Sequence, residues 1–286
     1  MNFVSTDQLY KDMAAWERQL PEFDAVCGVP RSGLIPAAYI ATRRNIRMVP
    51  LNELLQKPDG AIERSPLRDV NPVMVYNKPY GNRLLIVDDS SSNASVTFTD
   101  LRQRLARQTS LQISYGSVYR ASETSKVDYF YREVPMPRMF GWNWYRHCYL
   151  GNAMCDMDGV LCEDWKRRSE ENHDPEFVRH VNEAKPLYIP DVPLRAVVTS
   201  RIERYRKETI DWLARHRVKY GRLIMHPAET PEERRAAKDH AIRKAEAYRY
   251  DSQSFLFIES DVRQAAQIFE LTRAPVLCVD TMTMFS

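Results

Sequence analysis

Short apolar runs that end in Gly, Asp or Ser and give way to helix-period segments recur along this chain, and they restrict its fold more than any other feature. Ala25 to Val29 leads into helical spacing from Gly33 to Arg44, Arg47 to Leu51 follows, and Arg83 to Asp88 leads into a second helical segment from Val96 to Gln108. Parallel strands need long crossovers, usually helical, so the alternation predicts parallel α/β structure rather than hairpins. Ahead of it, Leu9, Met13, Trp16 and Leu20 repeat at helical spacing behind Ser5 and Thr6, candidate N-caps, until Pro21 stops the pattern.

A second rhythm begins after the aromatic segment Phe140 to Tyr149. Its strands are expected at Ala153 to Asp156, Leu194 to Val198, Arg222 to His226, Ser254 to Ile258 and Pro275 to Val279. Ile202, Tyr205, Thr209, Trp212 and Leu213 mark one helix, and Arg234 to Tyr248 another. A chain of 286 residues exceeds the usual size of one hydrophobic core. Two Rossmann-like parallel-sheet domains are expected, residues 1–150 and 151–286. Between Leu51 and Arg83, Pro58, Gly60, Pro66, Pro72, Pro79 and Gly81 punctuate a stretch too long for an idle connection, which reads as a lid.

The formal charge of +3, from 41 Lys and Arg against 38 Asp and Glu, excludes the basic excess of a nucleic-acid coat and suits small anionic substrates. Cys27, Cys155 and Cys278 sit in apolar runs and read as buried. Cys148, Cys155 and Cys162 lack the paired spacing of a zinc site. Met1 to Leu20 is charged throughout and no stretch of about 18 apolar residues occurs, so a cytoplasmic protein without a membrane segment is expected.

Two places carry chemistry. In the first, Gly28 to Gly33 joins a buried strand to a helix, so backbone amides and Arg31 can face an anion. A plain Gly-Pro turn is the competing reading. Leu84 to Val87 then ends in Asp88 and Asp89, ahead of the hydroxyl-rich run Ser90 to Ser95. Two carboxylates and a hydroxyl loop can hold ribose hydroxyls and a terminal phosphate together. The combination, over residues 1–150, resembles the type I phosphoribosyltransferases. The resemblance implies that Arg31, Ser32 and Gly33 contact the pyrophosphate of phosphoribosyl pyrophosphate (PRPP), Asp88 and Asp89 its ribose, and Ser92, Asn93, Ala94 and Ser95 its 5-phosphate. Asn93 and Ala94 stand where the family usually has Thr-Gly. Lys126 and Tyr129, ahead of Trp142 and Trp144, look like a base-binding hood; a solvated turn followed by a packed linker is the alternative.

In the second, Asp156, Met157, Asp158, Gly159 and Val160 end an apolar strand. Alternate carboxylates at a strand terminus can both reach one site, one attacking phosphorus and the other handling protons. This motif, over residues 152–286, resembles the haloacid dehalogenase (HAD) superfamily. The resemblance implies a HAD-like fold with minimal cap, Asp156 as nucleophile, Asp158 as acid and base, Thr199 as phosphoryl-binding hydroxyl and Lys238 as charge-neutralising lysine, with Lys244 its competitor. It also implies Mg²⁺ held by Asp156, Asp158 and an acid from Glu259 and Asp261, the choice between these two remaining open.

Together the resemblances imply a bifunctional enzyme that transfers phosphoribosyl from PRPP to a nucleobase and hydrolyses a phosphate ester. A phosphatase beside a non-catalytic PRPP or nucleotide sensor, and a phosphatase acting on nucleic-acid ends, are the alternatives. A homodimer is compatible with each.

Overall fold

A computed structural model of the protein describes residues 1–58, 81–92, 96–106, 109–165 and 174–286. The residues expected to form the lid lie mostly outside the described residues, as do Asn93, Ala94 and Ser95. The chain divides into two compact units, residues 4–138 with Asn2 and residues 139–286 with Met1 and Phe3.

The first unit follows the short strand β1 (Asn2–Val4) with α1 (Thr6–Glu17), whose cap Ser5 accepts from the Gln8 amide. Its sheet comprises β2 (Ala25–Gly28), β3 (Arg47–Val49), β4 (Arg83–Ser91), β5 (Gln112–Arg120) and β6 (Tyr129–Glu133). The strands run parallel in the order β3-β2-β4-β5-β6. Three helices, α2 (Leu34–Arg44), α3 (Leu51–Gln56) and α4 (Val96–Leu105), lie in the connections. Cys27, Leu84 and Ile86 pack against Phe98, Leu101 and Leu105 in the core. Because β3 and β4 flank β2 on opposite sides, the direction of winding reverses between β2 and β4, and a crevice opens there at the carboxyl ends of the strands.

Strand β7 (Arg138–Phe140) spans the boundary, and the second unit then contains β8 (Ala153–Cys155), β9 (Leu194–Ile202), β10 (Tyr220–His226), β11 (Leu256–Glu259), β12 (Val276–Cys278) and β13 (Thr283–Phe285). The sheet order is β10-β9-β8-β11-β12-β13, parallel except for β13. Helices are α5 (Asp174–Glu183), α6 (Arg206–Arg215), α7 (Pro231–Ala237), α8 (His240–Arg249) and α9 (Val262–Thr272). Period-two alternation divides the strands between two faces. Cys155, Val197, Ile258 and Leu277 pack with Trp212 and Leu213 of α6. Met154, Ala196, Phe257 and Val276 pack with Ala241, Ala245 and Tyr248 of α8 and Ile268 of α9. The winding reverses between β8 and β11.

Two details depart from the sequence pattern. The segment read as one helix from Arg234 to Tyr248 is two helices, broken at Lys238, whose left-handed backbone (φ 49°) ends α7. Trp144, read beside a base-binding hood, is a core residue of the second unit, its ring 4.9 Å from that of Tyr188. Among the described residues no helix is long and apolar enough to cross a membrane.

Candidate functional sites

In the first unit, Gly28 at the end of β2 pairs in register with Val87 of β4, so the loop after β2 runs beside the end of β4. Gly33 makes this approach possible: a Cβ there would lie 2.5 Å from the Val29 carbonyl and 2.7 Å from that of Val87. Among the described residues the amides of Arg31, Ser32 and Gly33 have no hydrogen-bond partner. Three consecutive unpaired amides ahead of a helix form an anion-ready concavity. The Ser32 hydroxyl donates to Asp89 Oδ1 at 2.9 Å, joining the loop after β2 to the acidic pair of β4, the two segments that the sequence singled out. Arg31 is exposed at the same turn.

Asp88 and Asp89 lie within β4, as do Ser90 and Ser91, which the sequence suggested as loop. Ser91 shares a buried hydrogen bond with Ser117 at 2.8 Å, and its carbonyl accepts from the buried Arg138 guanidinium. Asp89 is buried, and its amide donates to Asp88 Oδ1 at 2.8 Å. Burial, reinforced by the neighbouring Asp89 carboxylate, pushes the Asp88 carboxyl up to about 8. Ser92 follows the strand, half-buried. Lys126 is exposed, while Tyr129 opens β6 with its ring 5.8 Å from Phe23. Among the described residues neither is brought to the crevice by a hydrogen bond or ion pair.

In the second unit, Cys155 pairs in register with Ile258 and with Val197, so Thr199, within β9, lies beside the neighbouring strand ends at which Asp156 and Glu259 emerge. The Lys244 ammonium bridges them, donating to Asp156 Oδ2 at 2.7 Å, to Glu259 Oε2 at 2.6 Å and to Gln264 Oε1 at 3.0 Å. The side chains of Asp156, Glu259 and Lys244 are 8%, 1% and 3% exposed, so their charges are poorly screened. Burial raises the Asp156 carboxyl well above the carboxylate range, with Lys244 opposing and Glu259 adding to the rise. Burial alone would lower Lys244, but the two carboxylates raise it above its ordinary value.

Asp158 has a different partner. Arg201 Nε donates to its Oδ2 at 2.9 Å and a second guanidinium nitrogen to Oδ1 at 2.6 Å, while His180 Nε2 lies 3.4 Å from Oδ1. Burial would raise the Asp158 carboxyl, yet Arg201 and His180 together hold it below the ordinary range. Thr199 Oγ1 is buried and accepts from the Arg201 amide at 3.2 Å. Lys238 is not brought to this cluster; it is exposed at the end of α7, and Lys244 occupies the place expected of it. Asp261 caps α9, accepting from the Arg263 and Gln264 amides, whereas Glu259 lies in the cluster. His180 had no place in the sequence reading. The helix start at Asp174, Pro175 and Glu176 was the available signal for the element that carries it.

Among the described residues no three Asp, Glu, His or Cys side chains converge as a metal-binding group. The donor chemistry nevertheless fits a hard divalent cation that keeps most of its waters. Two buried carboxylates face one ammonium, leaving negative charge that a cation on Asp156, Glu259 and the Asp158 main-chain carbonyl would offset. Gly159, Asp164, Trp165, His180 and Asp280 help line an adjoining cavity of about 600 Å³.

No family model matches the chain. A stretch of 48 residues is 48% identical to the xanthine-guanine phosphoribosyltransferase of Chromohalobacter salexigens. That stretch covers 16% of this chain and 30% of the curated relative, less than a third of the relative's length. Among solved structures, the purine phosphoribosyltransferase from Pyrococcus horikoshii Ot3 aligns at 22% identity and a TM-score of 0.35, over 49% of this chain and 92% of that one. The Helicobacter pylori xanthine-guanine-hypoxanthine phosphoribosyltransferase aligns at 13% identity and a TM-score of 0.34, over the same 49% and 92%. The N-terminal region of this chain thus resembles the type I phosphoribosyltransferases.

Proposed function

We propose that the chain is a bifunctional enzyme of nucleotide metabolism, with a phosphoribosyltransferase in its first unit and a phosphate-monoester hydrolase of the HAD type in its second. The first half rests chiefly on the Ser32 to Asp89 hydrogen bond, which joins the two candidate PRPP loops at a topological switch point. Local identity to a phosphoribosyltransferase adds support. In this reading Arg31 and the amides of Arg31, Ser32 and Gly33 hold pyrophosphate, Asp88 and Asp89 hold the ribose hydroxyls, and Ser92, Asn93, Ala94 and Ser95 take the 5-phosphate. A base nitrogen attacks the anomeric carbon, and the bond from that carbon to the pyrophosphate oxygen breaks. Lys126 and Tyr129 are the candidates for contacting the base.

The second half rests on Lys244 bridging Asp156 and Glu259. An Asp156 oxygen attacks phosphorus, the ester P–O bond breaks, and the departing alkoxide takes a proton from Asp158. Water then attacks the aspartyl-phosphate, returns a proton to Asp158 and releases phosphate. Lys244 and the Thr199 hydroxyl steady the transferring group. Mg²⁺, when bound by Asp156, Glu259 and the Asp158 carbonyl, supplies neutralisation of phosphate charge.

Arg201 favours ionised Asp158, so protonating it for leaving-group departure runs against the clamp. Hydrolysis of an alkyl phosphate, which needs that proton, is therefore expected to accelerate as pH falls, relative to hydrolysis of p-nitrophenyl phosphate. A pH profile for the two substrates checks this. The test of the whole reading is turnover. PRPP with a panel of bases should release pyrophosphate, and Asp156→Asn should lower phosphate-ester hydrolysis by at least about a thousandfold while the fold is retained. No pyrophosphate with any base, or full activity of the Asn variant, would defeat the corresponding half.

A further inference from the structure

Three groups beside the Asp156 centre take no part in the reaction outlined above. A guanidinium nitrogen of Arg234 donates to the Ser200 carbonyl at 3.3 Å, and His240 Nδ1 lies 2.9 Å from the Ser200 hydroxyl. Ser200 directly follows Thr199, and His240 precedes Lys244 by one helical turn on α8, so they occupy the face that carries Lys244 to Asp156. Other buried or half-buried arginines of this unit are matched with carboxylates, Arg201 with Asp158 and Arg195 with Asp251. Arg234 and His240 are half-buried, and among the described residues neither makes an ion pair with a carboxylate, Asp158 and Asp239 acting on them only at longer range.

We propose that Arg234, His240 and Ser200 form a second anion subsite, which receives another phosphate group of a small substrate whose first phosphate is hydrolysed at Asp156. The inference rests on the hydrolase reading for the second unit and names its substrate class, a bisphosphorylated small molecule. A desolvated guanidinium that makes no ion pair is costly, and an incoming phosphate supplies both a contacting charge and two oxygens that the planar guanidinium can reach together. Burial lowers both Arg234 and His240 from their ordinary values, and Arg234 lowers His240 further, so an anion between them favours the charged form of each. The Lys244 charge is already shared by two carboxylates and leaves Arg234 uncommitted.

A nucleic-acid end would also bring a second phosphate. The cavity at Gly159 and His180, however, is lined by Glu163, Asp164, Glu176, Glu183 and Asp280 against the one guanidinium of Arg179, a net negative lining that repels a polyanionic chain. The geometry therefore favours the small molecule.

The experiment measures binding by calorimetry to the full chain carrying Asp156→Asn, with adenosine 3′,5′-bisphosphate and adenosine 5′-monophosphate as probes. The bisphosphate is expected to bind roughly tenfold or more tightly, the increment of one charge-assisted contact. Adding Arg234→Gln should collapse that preference toward one, and Arg234→Lys should restore part of it. Equal affinities in the parent, or an Arg234→Gln variant that weakens both probes alike, overturn the subsite. Tighter binding of a 3′-phosphorylated oligonucleotide than of the bisphosphate overturns the small-molecule assignment. A preference that depends on Arg234 in a protein whose unmutated form hydrolyses neither probe upholds the subsite and defeats the hydrolase reading instead.

Discussion

Lys244 and Lys238 are six residues apart in one arginine-rich stretch, and the structure gives them unrelated surroundings. Removing the Lys244 ammonium leaves Asp156 and Glu259 facing each other in a buried site, so Lys244→Met should destabilise the second unit by about 3–5 kcal/mol. Lys238→Met, at an exposed helix end, should leave the urea midpoint where it was. A loss on substituting Lys238 comparable with that at Lys244 would show the bridge to be incorrectly drawn. Asp88 gives a prediction with a defined sign. Its carboxyl is raised from 3.8 to about 8, so the folded state binds the proton more tightly than the unfolded chain. That contribution is complete below pH 3.8 and is lost as pH rises toward 8. Asp88→Asn, which cannot ionise, should therefore gain melting temperature relative to the parent as pH increases across that window. A difference in melting temperature that stays flat with pH would remove the burial argument.

At the scale of elements, the strand-terminal acids were legible because parallel strands in α/β units read as apolar runs and stop where charge begins. Asp156 and Glu259 lie at or beside such stops, whereas at Asp88 and Asp89 only the apolar run ends and β4 continues to Ser91. The choice between Lys238 and Lys244 was not legible. A helical period continues through Lys238 on paper, and only the left-handed backbone there, with Asp239 held by buried His226 at 3.0 Å, turns the face of α8 independently of α7. Helix α5 carries few apolar residues, so its contribution of His180 to Asp158 depended on tertiary placement that a local pattern does not encode. The loop after β2 is the element most open to a steric test. A methyl group at Gly33 meets backbone atoms of Val29, Val87 and Asp88 at 2.5 to 2.9 Å, and none of these is a flexible side-chain end that could swing aside. Gly33→Ala should cost about 1–3 kcal/mol of stability and push the Arg31 to Gly33 amides away from β4, weakening PRPP binding measured by calorimetry. Undiminished PRPP affinity in a folded Gly33→Ala protein would detach this loop from pyrophosphate binding.

At the scale of the whole molecule, the two units reach a similar solution by separate routes. Each winds a mainly parallel sheet outward in one direction, returns to place the next strand on the other side of its first, and leaves its acidic residues at the reversal, between β2 and β4 in one unit and between β8 and β11 in the other. Strand ends at such a reversal project between crossovers that wind in opposite directions, which is why sites of unlike chemistry can arise at equivalent places in α/β sheets. Each unit also has its own buried cluster, with Leu84, Ile86 and Phe98 in the first and Cys155, Val197 and Trp212 in the second. Separate cores make the two proposed activities separable by mutation. Asp88→Ala combined with Asp89→Ala should abolish PRPP binding and pyrophosphate release, because it removes both carboxylates of the first crevice and the acceptor of Ser32. The same protein should hydrolyse phosphate monoesters within about twofold of the parent rate, since additivity holds for substitutions that share no partners. Asp156→Asn should give the reverse pattern, with hydrolysis lost and pyrophosphate release kept. Loss of both activities in either variant, in protein that still unfolds cooperatively, would show that the two sites act as one and that the division of labour between the units is wrong.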